Sequence, residues 1–158
     1  MKTPFQQTDG NFRKRLVKRP KLCFLDVGLA SWLLGIRTPG QMATHPLRGA
    51  LFETFVVGEL LKTRWHRGEP SNLFFWRDSN GNEVDIIAEM EGRLLPVEIK
   101  SGKTIGPSFF AGLRRWVSLA GEAAMEPVLV YGGEGSFRQA GVRVLGWRKS
   151  PAALSKGS

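Results

Sequence analysis

The sequence predicts an α/β fold in which one mixed sheet carries helices on its faces. Two observations point there. Five short segments have strand patterning, three of them consecutive, and two longer segments are rich in helix formers. Their order, helix, three strands, helix, strand, strand, is that of a sheet covered by helices rather than of a bundle or a sandwich.

Taken in order, residues 1–20 read as a basic, partly irregular arm. "KLCFLDVGLASWLLGI" reads as a short apolar stretch leading into a helix that ends near Gly35, and "IRTPGQMATHP", punctuated by Pro39, Gly40 and Pro46, as a loop. The length and composition of "LRGALFETFVVGELLKTRW" predict a helix despite Gly49 and Gly58. "NLFFWRD", "EVDIIAEM" and "RLLPVEIK" follow as three strands. "SFFAGLRRWVSLAG" reads as a helix, "EPVLVYGG" as a buried strand and "GVRVLGW" as a final alternating one. The polar tail "SPAALSKGS" reads as flexible, which puts the folded α/β domain at 21–148 and the tail at 149–158.

A chain of 158 residues is one domain's worth and long enough to bury a core. Its 42% hydrophobic and 23% charged residues are those of an ordinary globular protein, and no apolar run reaches the roughly 18 residues of a membrane span. Cys23 is the single cysteine, so no internal disulfide can form, and between Leu22 and Phe24 it reads as a small core residue. With no apolar core and cleavage site behind the basic N-terminus, a cytoplasmic protein is expected. The formal net charge is +9, from 23 Lys and Arg against 14 Asp and Glu. That excess favours a polyanionic partner, and Arg13, Lys14, Arg15, Lys18, Arg19 and Lys21 form an acid-free run suited to a nucleic-acid backbone or to a solvated face.

The chemistry concentrates in "GNEVDIIAEMEGRLLPVEIKSGK", Gly81 to Lys103. A hairpin turn at Glu91-Gly92 sets Asp85 opposite Glu98, Val84 opposite Ile99, Ile86 opposite Val97 and Ala88 opposite Leu95. Apolar then meets apolar throughout, and the other face collects Asp85, Glu98 and Lys100; a register shifted by one mixes the faces. Opposed residues in a ladder have Cβ atoms about 4.5–5.5 Å apart, so two carboxylates there repel unless a cation lies between them. Mg²⁺ is the natural choice, because it is held by one or two carboxylates with water and phosphate oxygens. A lysine beside such an ion is placed to orient a nucleophile or to offset charge in a transition state. The alternative is a polar sheet face on which Lys100 simply pairs with Glu83 or Glu98.

On the preceding helix, Glu53 lies along an apolar stripe with Ala50, Val56, Val57 and Leu60, where an acid is costly unless it is paired or bound to metal. Glu59, about 240° further around, looks toward Lys62 and Thr63 and is expected at the surface.

Together, "GALFETFVVGEL", "FFWRDSNGNEVDII" and "PVEIKSGK" resemble the PD-(D/E)XK nuclease superfamily. With "KRLVKRPKLCFLDVGLASWLLGI" in front of them, the motifs look like a nuclease-like domain found C-terminal to the ATPase module of prokaryotic AAA+-type ATPases, over about Arg15 to Val144. The resemblance implies a restriction-endonuclease-like fold and hydrolysis of DNA phosphodiester bonds. It implies Glu53, Asp85 and Glu98 as ligands of Mg²⁺ or Mn²⁺ and Lys100 as the catalytic lysine, and it covers Glu59 and Arg77 without giving either a role. DNA, an AAA+-type ATPase module and a second copy of the chain are the partners to test. The alternative is the same fold as a catalytically inactive module that binds DNA or protein. No ATPase activity is expected, because "SGKT" lacks the glycine-rich loop of a phosphate-binding motif.

Other chemistries are set aside. His45 and His66 lack partners at zinc-ligand spacing, and no Ser or Cys sits in a nucleophile elbow. Phe74 and Phe109 read as core, whereas Trp65, Trp116 and Trp147, with basic neighbours, are candidate surface contacts, as are Arg114 and Arg115.

Overall fold

A computed structural model describes residues 21, 23–78 and 80–154. The elements are α1 (Val27–Leu33), α2 (Pro39–Thr44), α3 (Arg48–Trp65), β1 (Leu73–Arg77), β2 (Glu83–Met90), β3 (Arg93–Lys100), α4 (Ala111–Ala120), β4 (Val128–Tyr131), β5 (Ser136–Gln139), β6 (Val142–Gly146) and α5 (Ser150–Leu154). The six strands form one mixed sheet in the order β1-β2-β3-β4-β6-β5. β1, β2 and β3 are antiparallel neighbours, β3, β4 and β6 run parallel, and β5 returns antiparallel to β6. The fold is the α/β class expected, a mixed sheet flanked by helices.

Each face of the sheet is covered because its strands alternate into two apolar clusters. Val56 and Leu60 of α3 and Leu154 of α5 pack on Ile86, Ala88, Leu95, Val97 and Ile99. On the other face, Leu113 and Trp116 of α4 pack on Ile87, Leu129 and Val144. β4 is buried at all four positions, which is why it reads as a continuous apolar run rather than an alternating one.

The β2–β3 turn has positive φ at both Glu91 (53°) and Gly92 (74°), the geometry of the tight hairpin turn expected there. The ladder follows the expected register from Met90↔Arg93 to Ala88↔Leu95 and Ile86↔Val97. Beyond Ile86 it changes. The β1–β2 register slips between Phe74 and Trp76, and Val84 packs in the α4-side cluster although Ile86, two residues on, packs on the α3 side. That irregularity breaks the period-2 alternation beside Asp85. In place of a simple cross-strand partner for Glu98, Asp85 turns its carboxylate toward the β3 backbone.

Several expectations are corrected. The stretch read as a loop contains α2, started by Pro39 behind a capping box in which Thr38 and Gln41 satisfy each other's backbone amides. β5 was not anticipated. Residues 150–154, read as part of a flexible tail, form α5, because Leu154 closes the α3-side cluster and Ser150 is buried; residues 155–158 lie outside the described residues. Trp116 is core, 1% exposed, since α4 turns it onto the sheet. Trp147 packs edge-on against Phe55, with Arg148 over its ring. Cys23 is half-buried rather than a core residue. No helix among the described residues is long and apolar enough to cross a membrane.

Candidate functional site

The C-terminal end of β3 and the adjoining stretch of β2 form a cluster of charges in an otherwise apolar sheet. The irregularity in β2 lets the Asp85 side chain take over one backbone donor: Ile99 N–H donates to Asp85 Oδ2 at 2.8 Å. Asp85 is 7% exposed and Glu98 9% exposed. Lys100 Nζ donates to Glu98 Oε1 at 2.5 Å and lies 5.9 Å from the centre of the Phe109 ring. The pairing of Lys100 with Glu98, raised above as the alternative to a catalytic role, is therefore present. Glu98 Oε2, however, is buried and has no hydrogen-bond partner.

From α3, Glu53 faces the same region. Arg48, five residues earlier on α3, donates from its guanidinium to Ser101 O at 2.6 Å and so ties the start of α3 to the end of β3. Lys21 forms an ion pair with Glu53, lies 3.8 Å from Asp85 Oδ1, and sits 4.7 Å from the centre of the Phe75 ring. Three carboxylates and two ammonium groups thus share the site, one negative charge in excess.

The ionisation of each group follows from this crowding. Burial, and next the Asp85 charge, push Glu98 up to about 7, with Lys100 opposing. Glu53 is raised by burial and by Asp85, against the pull of Lys21. Asp85 is raised by burial, against the Ile99 amide and both lysines. Burial works against the charge on Lys100, but its hydrogen bond to Glu98 and the surrounding carboxylates outweigh that and raise its pKa. Lys21 behaves likewise through Glu53 and Asp85.

The structure therefore brings Glu53, Asp85, Glu98 and Lys100 into one region, Asp85 linking the other groups. Lys21, expected to contact a nucleic-acid backbone with its basic neighbours, is turned inward instead. Arg13, Lys14, Arg15, Lys18 and Arg19 lie outside the described residues. Glu59 pairs with Lys62 at 2.9 Å on the surface, as its helical position predicts. Arg77 faces Glu83 at 4.0 Å, and Arg115 lies 3.9 Å from the buried Asp78. No group of three or more His, Cys, Asp or Glu side chains is gathered closely enough among the described residues to form a ready metal cage.

Gly132, which sequence reasoning did not single out, packs against the segment that follows Lys100. Its N–H donates to Lys100 O and Gly102 O, both at 3.0 Å, and a Cβ there would lie 2.3 Å from Ser101 O. Only glycine allows β4 to approach the segment after Lys100 so closely.

Fold and site together define a mixed α/β domain with a buried carboxylate–lysine cluster at the end of a central strand. The chain belongs to the DUF4143 family, a domain of unknown function, whose model matches residues 48–149. Domains of this family are commonly found C-terminal to AAA ATPase domains. The chain is also similar to uncharacterized proteins of Mycobacterium bovis and Mycobacterium tuberculosis, each 32% identical over 127 residues that make up 80% of this chain. Those residues span about a quarter, 27%, of each relative's length.

Proposed function

We propose that this domain is a metal-dependent nuclease-like module that hydrolyses DNA phosphodiester bonds, with Mg²⁺ or Mn²⁺ held by Asp85 and Glu98. The observation that carries the reading is Glu98 Oε2, a buried carboxylate oxygen without a hydrogen-bond partner, in a group whose other oxygen is engaged by Lys100. Such an oxygen is costly as it stands and is the natural ligand of a hard cation. A divalent ion there supplies Lewis acidity toward a phosphoryl oxygen and eases the ionisation of water. Asp85, its Oδ2 fixed by the Ile99 amide, presents Oδ1 in a constant position. Lys100, held by Glu98, carries its charge to the end of β3, where it can hydrogen-bond an attacking water or offset charge on the phosphoryl group. The net charge of +9 suits a polyanionic substrate. By analogy with the family's usual arrangement, an AAA+-type ATPase module is the partner proposed for the domain in a longer protein.

Cleavage of linear, circular and branched DNA in Mg²⁺ or Mn²⁺ tests the reading, with Asp85→Asn and Lys100→Met as comparisons. Metal-dependent cutting that both substitutions abolish, in proteins that remain folded, is expected. A second reading, a catalytically inactive module that binds DNA, is favoured by the lysines already paired with Glu53 and Glu98. It takes precedence if no substrate is cut and both variants bind DNA as the wild type does.

A further inference from the structure

We infer that Lys21 is a resident cation of this site, occupying the space between Glu53 and Asp85 and thereby confining a divalent ion to the Asp85–Glu98 half. The inference rests on the metal reading above and sharpens it, from a site that binds metal to one that binds a single ion.

Two-ion phosphodiesterase sites hold their metals about 3.5–4 Å apart, with carboxylates shared between them. Glu53, Asp85 and Glu98 carry enough oxygens for such a pair, although no three acids among the described residues stand close enough to form a ready cage. In this protein one of the two positions is taken by an ammonium group. Lys21 is ion-paired with Glu53, lies 3.8 Å from Asp85 Oδ1, and has the face of Phe75 on a third side, 4.7 Å from the ring centre. Carboxylates and an aromatic face all favour a cation at that point. At 3.8 Å, Asp85 Oδ1 is too far from Lys21 for a hydrogen bond. On the Glu98 side, Oε2 is buried and has no hydrogen-bond partner. Glu53 Oε1 is paired with Lys21, and Asp85 Oδ2 accepts from the Ile99 amide. With Glu53 Oε1 and Asp85 Oδ2 engaged, a divalent ion falls to Asp85 Oδ1 and Glu98 Oε2.

The ammonium is not part of the sheet scaffold. Lys21 precedes α1 and lies outside residues 48–149, the part of the chain that the family model matches. Its side chain is 30% exposed, so replacing it removes a charge from the site without opening a cavity in the core.

The test is the number of Mn²⁺ ions bound per chain, counted by equilibrium dialysis with paramagnetic detection of free Mn²⁺. Wild type, Lys21→Met, Lys21→Arg and Glu53→Gln are compared, and circular dichroism confirms that each is folded. One ion is expected for the wild type, for Lys21→Arg, which keeps the cation, and for Glu53→Gln, which removes a carboxylate already in use. Two are expected for Lys21→Met. Equal numbers in wild type and Lys21→Met overturn the inference, as does loss of the wild-type ion in Glu53→Gln. Binding by Lys21→Met alone also overturns it, since Lys21 would then exclude metal from the whole cluster. If no variant and no wild type binds Mn²⁺, the metal reading itself fails.

Discussion

The β2–β3 hairpin and the segment from residue 21 to 47 are both rich in apolar side chains and use them in opposite ways. In the hairpin, Val84, Ile86, Ile87, Leu95, Val97 and Ile99 are all buried, divided between the two faces of the sheet. In the N-terminal segment only Ala30 and Ile36 are buried among the described residues, in a small cluster with Leu51, while Phe24, Leu25, Leu29, Trp32 and Leu33 are exposed, Leu33 by 63%. Yet each region contributes to the charged site. Asp85, Glu98 and Lys100 are anchored by a ladder under two packed layers, whereas Lys21 reaches the same site from the weakly packed segment. The comparison separates what the site needs as scaffold from what it receives as an adjustable charge.

Substitutions in the two regions should therefore differ most in stability. Val97→Asp places an unpaired charge at a position with 0% exposure and is expected to cost on the order of 4 kcal/mol or more, read as a collapse of the urea midpoint. Next in size is a pH effect that comes from the hairpin. Glu98 is raised from its ordinary value of 4.5 to about 7 in the folded protein, so the fold holds a proton that the unfolded chain releases. Its contribution is fully present below the unfolded value and is lost as pH rises through about 7. Metal-free protein should lose on the order of 3 kcal/mol across that window, and Glu98→Gln should flatten the dependence in urea titrations at several pH values.

A smaller loss, about 2 kcal/mol, is expected for Gly132→Ala, because the new Cβ would meet Ser101 O at 2.3 Å and push the segment after Lys100 away from β4. Thermal denaturation reads the loss, and metal binding should weaken with it. The smallest change belongs to the other region. Leu33→Ala, at an exposed position on α1, should alter stability by no more than about 0.5 kcal/mol. A loss comparable to that of Gly132→Ala would show that α1 is more tightly packed than its exposure indicates.

The same contrast decides how much was legible in the sequence. The bounds of β2 and β3, and their register from Ile86 to the turn, were readable because alternation and a Glu-Gly turn fix one pairing there, and α3 because its 18 residues are mostly helix formers. Glu53, Asp85, Glu98 and Lys100 were legible by spacing, since their elements were. α2 was hidden by Pro39 and Gly40, although its T-x-x-Q capping box was visible. β5 gave no alternation because all four of its residues are exposed; the Ala140-Gly141 turn, both residues at positive φ, was its available signal. The irregularity at Asp85 and the inward turn of Lys21 depend on residues 21, 53 and 85 meeting in space. No local pattern encodes that meeting, so a lysine from the basic run read as a phosphate contact.

The central claim is that Asp85 and Glu98 form a divalent-cation site, and the thermal midpoint with and without Mn²⁺ addresses it most directly, because a ligand that binds only the folded state stabilises it. The wild type should melt at a higher temperature as Mn²⁺ is added, and Glu98→Gln should show no such rise. A wild-type midpoint indifferent to Mn²⁺, or a rise that survives in Glu98→Gln, would contradict the account.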